Sequence, residues 1–170
     1  MFKIYEKELI PLYTSIGKLT VHWAWLEYML DSCIVMMFNR CGGYELDDEA
    51  PISLKNRLKF FNRCMKEIES LSAFSKEGLA LSSEIKKLST ERHDLAHGML
   101  YTFGKDFQTF GYVRHKINKD VEHLRKSIKT IDETTVKVEA LSKKLTGFSL
   151  AIFKQVNEQI RTDASGQSRN

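Results

Sequence analysis

Residues 89–101 carry the side chains of this chain that are best suited to acid, base and phosphate chemistry. The segment reads S-T-E-R-H-D-L-A-H-G-M-L-Y and brings together Arg92, His93, Asp94 and His97. Imidazole titrates near neutral pH, and the guanidinium fork matches the oxygens of a phosphate. These groups suit metal-free RNA cleavage, in which a 2′-hydroxyl attacks the neighbouring phosphate and leaves a 2′,3′-cyclic phosphate and a 5′-hydroxyl end. His97 would then move protons while Arg92 stabilises the phosphate.

The spacing of Arg92 and His97 sets a geometric condition on that chemistry. Positions five apart on a regular helix point about 140° away from each other. The two side chains would converge if the last turn unwound at Gly98, if the arginine curled round the helix, or if a second subunit completed the site. The alternative without chemistry is a salt-bridged, solvated turn from Glu91 to Asp94, with His97 stabilised at the helix C-terminus.

His93 and His97 are the second pair to consider, since positions four apart share one helix face. This is the spacing of a helical zinc pair. The common zinc motif has glutamate directly after its first histidine, whereas this chain has Asp94 there. No third ligand is evident, and nothing in the sequence ties His115 or His123 to the pair. We therefore assign no metal and no cofactor.

The elements that must position these residues are predicted to be helices, because apolar residues recur at three- and four-residue steps. The first helix has Pro11 in its first turn and a long seam: Ile16, Leu19, Trp23, Leu26, Leu30, Cys33, Met37. Its other side is also largely apolar: Val21, Trp25, Tyr28, Met29, Val35, Met36. A membrane span is disfavoured because His22, Glu27 and Asp31 fall inside the segment. A helix shared between its own core and a second subunit explains the same pattern.

Two further helices and a hairpin are predicted next. Pro51 opens the second helix, and the third begins between Ser72 and Ser75 and ends at Gly98, which we expect to be a left-handed stop. The period then changes to aromatic and β-branched residues on either side of residues 104–106, as in a short β-hairpin. The hairpin aromatics could stack on bases, but packing is the favoured role: Tyr101, Phe103, Phe107, Phe110, Tyr112.

The last helix is predicted to begin at Asp120 as its cap and to continue along a seam that starts with Val121, Leu124 and Ile128. A kink or short break is expected near Thr134–Thr135 or Gly147. The sequence thus predicts an all-α fold, an up-down bundle of about four helices with a small β-hairpin between the third and last helices. We expect one domain over residues 1–161 and a disordered tail over 162–170.

Composition sets broad limits on function. The chain has 170 residues and a formal net charge of +4, which permits a nucleic-acid partner without requiring one. Its three cysteines have no C-x-x-C spacing, so no disulfide framework is indicated and a reducing cytoplasm is expected. The N-terminal residues mix acids with apolar side chains and do not resemble a secretory signal.

The run Arg92-His93-Asp94-Leu95-Ala96-His97 resembles the R-x(4–6)-H motif of the HEPN superfamily, in which a polar residue commonly follows the arginine. The ending L-A-H-G before a hairpin and a long helix is similar to bacterial HEPN-like proteins. So is the early helix that carries W-A-W-L-E with Glu27. The resemblance covers roughly residues 12–160.

The resemblance implies a homodimer in which two R…H motifs face each other in a shared cleft. Family members are often metal-independent RNases that act as toxins or in phage defence, and others are non-catalytic nucleotide- or protein-binding domains. Carried over, His97 would transfer protons and Arg92 would clamp the phosphate. His93, Asp94 and Glu27 would be supporting residues. RNA and an antitoxin or defence protein are the implied partners, with no membrane.

One departure concerns the antitoxin. Superfamily toxins that are neutralised by nucleotidyl transfer carry tyrosine two residues after the histidine. Here Met99 holds that place and the first tyrosine is Tyr101. The departure argues against that particular form of neutralisation.

Overall fold

A computed structural model describes residues 6–114 and 121–167 of the chain. Within these ranges it contains four α-helices and three strands: α1 Glu6–Arg40, α2 Leu54–Glu67, α3 Ser75–His97, β1 Met99–Phe103, β2 Thr109–Arg114, β3 Glu122–Ser127 and α4 Ile128–Gln167. The segments Gly43–Glu45 and Glu69–Phe74 are short 3-10 helices. The predicted all-α helical bundle with a small β element between its third and last helices is confirmed.

The chain forms two compact units. The first comprises Met1–Ala24 and Lys87–Ala140, and the second comprises Trp25–Lys86 and Leu141–Asn170. The sheet and the last turns of α3 therefore belong to the first unit, and α2 belongs to the second. That residues 1–161 form a single domain stays a prediction. Helix α4 continues past Arg161 to Gln167, while residues 168–170 of the predicted tail lie outside the described residues.

Helix α1 buries the predicted seam along its length: Leu19, Trp23, Leu26, Leu30, Cys33, Met37. It begins earlier than predicted, so Pro11 lies inside the helix and not in its first turn. Proline removes one helical hydrogen bond there. Because Leu9 and Leu12 on either side of Pro11 are both buried, packing holds the helix together through this position.

The other side of α1 is exposed, although it is rich in large apolar residues: Val21, Trp25, Tyr28, Val35. In the second unit the Trp25 and Tyr28 rings contact each other, with centroids 5.6 Å apart. Asp31 forms an ion pair with Arg57 of α2, and the Arg57 Nε atom lies 2.8 Å from Asp31 Oδ1. No described helix is long and apolar enough to cross a membrane.

Helix α2 starts at Leu54, later than Pro51. Ser53 is its N-cap in an extended conformation, and the Ser53 hydroxyl accepts a hydrogen bond from the Asn56 backbone N–H at 3.3 Å. A serine hydroxyl can satisfy a free amide of the first turn, which proline cannot do. The prediction that Pro51 opens this helix was therefore wrong by three residues.

The core of the second unit is built around aromatic contacts to α4. The Phe148 ring lies 5.9 Å from the Phe61 ring and meets the Phe74 ring edge-on at the same distance. Gly78 of α3 packs so closely on Met65 and Phe148 that a Cβ there would clash with the Met65 sulfur. Close packing of this kind joins α2, α3 and this segment of α4 into one hydrophobic layer.

The small sheet has the order β1-β2-β3, and both pairings are antiparallel. The β1–β2 pair is the predicted hairpin, and its turn is closed by Asp106, whose Oδ1 accepts from the Gln108 amide at 3.0 Å. Strand β3 was not predicted. Residues 122–127 had been included in the last helix, which instead begins at Ile128. The proposed cap, Asp120, lies outside the described residues.

The physical reason for that error is that Val121, Leu124 and Ile128 fit a helical step of three or four as well as a strand. In the structure β3 alternates partly buried and exposed positions over Glu122 to Arg125. Six residues of β3 pair with β2. A hairpin of two strands is marginal in water, and the third strand gains its stability from this pairing, which local periodicity does not reveal.

The three cysteines lie in the second unit and none forms a disulfide. Burial is the main cause that raises the pKa of Cys33 and of Cys64, each to about 12. Burial also raises the pKa of Cys41, which is the most accessible of the three. Thiolates are the reactive species, so these thiols should be inert in the folded protein.

We therefore predict that Ellman's reagent at about pH 8 modifies native Cys33 and Cys64 at least about 100-fold more slowly than the denatured chain. Cys41 should react first. Because folding raises these pKa values, the thiols contribute stability below about pH 9 that is lost as the pH rises towards about 12. Rapid native labelling at Cys33 or Cys64, located by peptide mapping, would contradict the burial described above.

Candidate functional site

The candidate site lies at the C-terminal end of α3, in the first unit. The helix remains regular through His97, and the Gly98 N–H donates an α-helical hydrogen bond to the Asp94 carbonyl at 3.0 Å. The last turn is therefore not unwound. Arg92 and His97 leave the helix about 140° apart. Unwinding of the last turn at Gly98 was one of three routes by which the Arg92 and His97 side chains could converge, and the structure excludes it.

The two histidines, in contrast, are adjacent. The ring centroids of His93 and His97 lie 4.5 Å apart, and the ring planes are inclined by 49°. Both side chains are exposed, while Arg92 and Asp94 are partly buried. The helix end thus presents two neighbouring imidazoles to solvent, with Arg92 on a different side of the same turn.

In the salt-bridged turn considered as an alternative, Glu91 has a partner outside the turn, and whether His93 and Asp94 form ion pairs stays untested. The Glu91 carboxylate accepts a hydrogen bond from the Thr134 hydroxyl of α4, with 2.8 Å between Oε2 and Oγ1. Arg92 makes no ion pair with any described side chain. Among the described residues, Arg92 thus has no neutralising carboxylate, and its side chain is partly buried.

Glu91 instead anchors the helix end to its neighbours. Burial lowers the pKa of Lys126 on β3, and the charge of Glu91 opposes that shift, which places the two groups close together. Lys126 Nζ also lies 6.0 Å from the centre of the Tyr112 ring. The Thr134 hydroxyl is within hydrogen-bond distance of both Glu91 and the Thr130 carbonyl. Helix α4 runs from Ile128 to Gln167 without a break, so the predicted short break is absent, while the predicted kink stays a prediction.

Gly98 is required for a reason other than the one predicted. Among the described glycines only Gly42 has a positive φ, so Gly98 is not a left-handed stop. The chain passes directly from α3 into β1, and the buried Tyr112 ring packs against the Gly98 backbone. A Cβ at Gly98 would lie 2.5 Å from Tyr112 Cδ2 and 2.7 Å from the Asp94 carbonyl oxygen.

Gly98→Ala is accordingly predicted to destabilise the fold by about 1–3 kcal/mol, because neither the buried ring nor the helix backbone can move easily. The matched control is Gly147→Ala in α4, where a Cβ meets nothing within 4 Å. That control should stabilise the protein by up to about 1 kcal/mol. Denaturant unfolding of both variants measures the difference, and equal stabilities would contradict the packing of Tyr112 on Gly98.

The remaining predicted residue, Glu27, belongs to the second unit, where it is partly buried on α1. The pKa of its neighbour Asp31 is raised mainly by burial and lowered by Arg57, and the charge of Glu27 raises it further. Glu27 thus lies among the charges that α1 shares with α2. Its supporting role in the candidate site stays a prediction.

Within residues 6–114 and 121–167, zinc at the histidine pair gains no additional ligand. The described residues contain no group of three or more His, Cys, Asp or Glu side chains that could hold a metal ion. His115 lies outside those residues. His123 is on β3, and its ring meets the Tyr101 ring edge-on with centroids 5.4 Å apart.

The sequence did not predict four of the residues that lie around the site: Tyr101, His123, Lys126 and Thr134. The signal that was available is the alternation of β3, which sends His123 and Arg125 to one face and Leu124 to the other. The hydrogen bond between Glu91 and Thr134 joins residues 43 apart and has no local signal.

Comparisons of the chain with protein-family models, with curated proteins and with solved structures find no match.

Proposed function

We propose that this chain is a metal-independent endoribonuclease of HEPN type that acts as a homodimer. The observation that carries the proposal is the end of α3, where an exposed His97 follows an Arg92 that no described carboxylate neutralises. Cleavage at an RNA phosphate needs both an accessible group that transfers protons and a cation that is not already paired. Both are present within one helical turn and a half of each other.

The proposed reaction uses these two side chains in distinct roles. His97 accepts the proton of the 2′-hydroxyl as its oxygen attacks the adjacent phosphorus, and the bond to the 5′-oxygen breaks. The leaving oxygen takes a proton from a second imidazole, for which His93, 4.5 Å from His97, is the nearest candidate. The Arg92 guanidinium stabilises the charge that develops on the phosphate oxygens.

The regular helix end favours completion of the site by a second copy. Since Arg92 and His97 diverge within one chain, the simplest way to place both on one phosphate is to supply one from each protomer. The exposed apolar side of α1 supports self-association, because monomeric proteins rarely expose a run such as Trp25, Tyr28 and Val35. Each is at least half exposed.

The biological setting belongs to the same proposal. A toxin or a phage-defence component would use such an activity, with an antitoxin or defence protein as its partner. Met99, which replaces the tyrosine of the nucleotidylated toxins, is 65% exposed at the start of β1. Neutralisation by nucleotidyl transfer is therefore not proposed. Three free cysteines support a cytoplasmic location.

The test is to incubate the purified protein with labelled RNA in excess EDTA and to analyse the product ends. We expect cleavage that leaves 2′,3′-cyclic phosphate and 5′-hydroxyl termini, and its loss in His97→Ala. If the RNA stays intact but is bound tightly, and Arg92→Ala abolishes that binding, the chain is a non-catalytic nucleotide-binding domain and not an enzyme. Cleavage that stops in EDTA and returns with zinc would favour the histidine pair as a metal site.

A further inference from the structure

The sheet beside the candidate site has one covered and one uncovered face. Phe110 and Tyr112 of the central strand are about 99% buried, each with a relative exposure of 1%, and define the covered face. The opposite face, here called the outer face, carries side chains from all three strands: Met99, Tyr101, Val113, His123, Arg125. All except Val113 are exposed. Among the aromatic residues of this hairpin, Phe110 and Tyr112 are thus buried, Phe103 and Phe107 are partly buried, and Tyr101 is exposed.

A bulge places that ring on the outer face. The β1–β2 register shifts between Leu100 and Thr102, so Tyr101 is the extra residue of β1. Bulges redirect a side chain and are common beside functional sites. Here the Tyr101 ring, 49% exposed, stands at 86° to the His123 ring of β3. The edge-on contact holds Tyr101 in place while part of its surface stays open to solvent.

The charge on the outer face has one sign. Arg125 is exposed opposite Gly111, and His123 is exposed opposite Val113. No carboxylate occupies a described outer-face position. Glu122 is on the alternate face of β3, where its charge is a secondary cause, after burial, that raises the pKa of Tyr112. At its described positions the outer face thus offers an aromatic ring and a cation without a competing acid.

The outer face also begins next to the candidate catalytic residue. Met99 is two residues beyond His97, and it is paired with Val113, which is paired in turn with His123. Two strand spacings separate Met99 from His123, about 10 Å. A nucleic-acid strand that is bound at His97 can therefore continue across the sheet onto Tyr101 and Arg125.

We propose that the outer face binds single-stranded RNA, with a base stacked on Tyr101 and a neighbouring phosphate paired with Arg125. This inference rests on the proposed ribonuclease function and names its substrate as unpaired RNA. An exposed base is needed because a duplex hides the faces that stack on aromatic side chains. Tyr101, His123 and Arg125 are positioning residues, since they hold the strand without touching the reacting phosphate.

The experiment measures binding apart from cleavage. His97→Ala protein is titrated into a fluorescein-labelled oligoadenylate, and anisotropy gives the affinity. Adding Tyr101→Ala should weaken binding by about 5- to 150-fold, the effect of losing one stacked base. Tyr101→Trp should restore it. Arg125→Ala should weaken binding. It should also lower the slope of log affinity against log salt concentration by the amount expected for about one phosphate contact.

Matched controls make the result specific. Tyr44→Ala removes a tyrosine of the second unit that is 58% exposed, and it should leave the affinity unchanged. The same oligonucleotide annealed to its complement should bind more weakly than the single strand. Circular dichroism and thermal melting establish that each variant is folded.

The outcomes separate the two proposals. Cleavage by the wild type with equal RNA affinity in Tyr101→Ala would overturn the binding face and leave the ribonuclease intact. Absence of cleavage together with Tyr101-dependent RNA binding would support the binding face and remove the catalytic claim. Failure of the wild type to bind any RNA, or binding of a protein partner alone through Tyr101, would overturn the inference.

Discussion

Replacing His97 by alanine is expected to lower the rate of RNA cleavage by about 10²- to 10⁴-fold, the usual contribution of a positioned acid or base. The measurement is the initial rate in excess EDTA, with product ends identified as cyclic phosphates. His97 is exposed in the last turn of α3 and makes its ring contact with His93, so its removal leaves the core unchanged. The loss should therefore appear in catalysis and not in thermal stability.

The companion substitution at the motif's first position distinguishes charge from geometry. Arg92→Lys keeps the positive charge but loses the planar fork. Its rate of RNA cleavage should therefore lie between those of the wild type and Arg92→Ala. His22→Ala is the matched histidine control, because His22 lies on α1 outside the motif. If His97→Ala cleaved RNA as fast as the wild type, the proposed role of His97 would be wrong, and the activity would come from other residues or from a contaminant.

The helical part of the fold could be predicted from the sequence because it depends on local periodicity. The seam of α1 from Leu19 to Met37 is buried where the three- and four-residue steps place it. The hairpin was also visible, since its aromatic and β-branched residues break that period. Helix starts were less accurate: a serine cap displaced Pro51, and buried leucines extended α1 past Pro11.

What could not be predicted depends on partners that are distant in sequence. Strand β3 forms because β2 pairs with it, and its own residues are equally compatible with a helix. Gly98 looked like a helix stop, whereas the Tyr112 ring of β2 is what excludes a side chain there. In the same way, a local salt bridge was one alternative for Glu91, whereas its hydrogen-bond partner in the structure is Thr134 of α4.

These long-range contacts also change how the candidate site is understood. The anchoring of Glu91 and the packing of Gly98 on Tyr112 hold the end of α3 as a regular helix on the sheet. A rigid, regular helix end keeps Arg92 and His97 on different sides. Two of the three routes that could bring Arg92 and His97 to one phosphate therefore remain: curling of the arginine side chain and completion of the site by a second protomer.

A heterodimer experiment distinguishes these two routes directly. Two differently tagged chains, one Arg92→Ala and the other His97→Ala, are co-expressed and purified through both tags. If each site takes Arg92 from one protomer and His97 from its partner, one of the two sites is intact, and about half of the wild-type activity should remain. Each mutant homodimer should be nearly inactive.

The reciprocal heterodimer gives the opposite expectation and completes the argument. It pairs a wild-type chain with a chain that carries both Arg92→Ala and His97→Ala. If the sites are shared between protomers, each of the two sites then lacks one of its two residues, so activity should fall to the level of the mutant homodimers. A site within one chain would instead remain whole in the wild-type protomer and retain about half of the activity. Since both heterodimers contain the same two substitutions, the comparison depends only on how the residues are distributed. Activity in the second heterodimer and not in the first would place Arg92 and His97 of one chain on the same phosphate, which would require the arginine to curl round the end of α3.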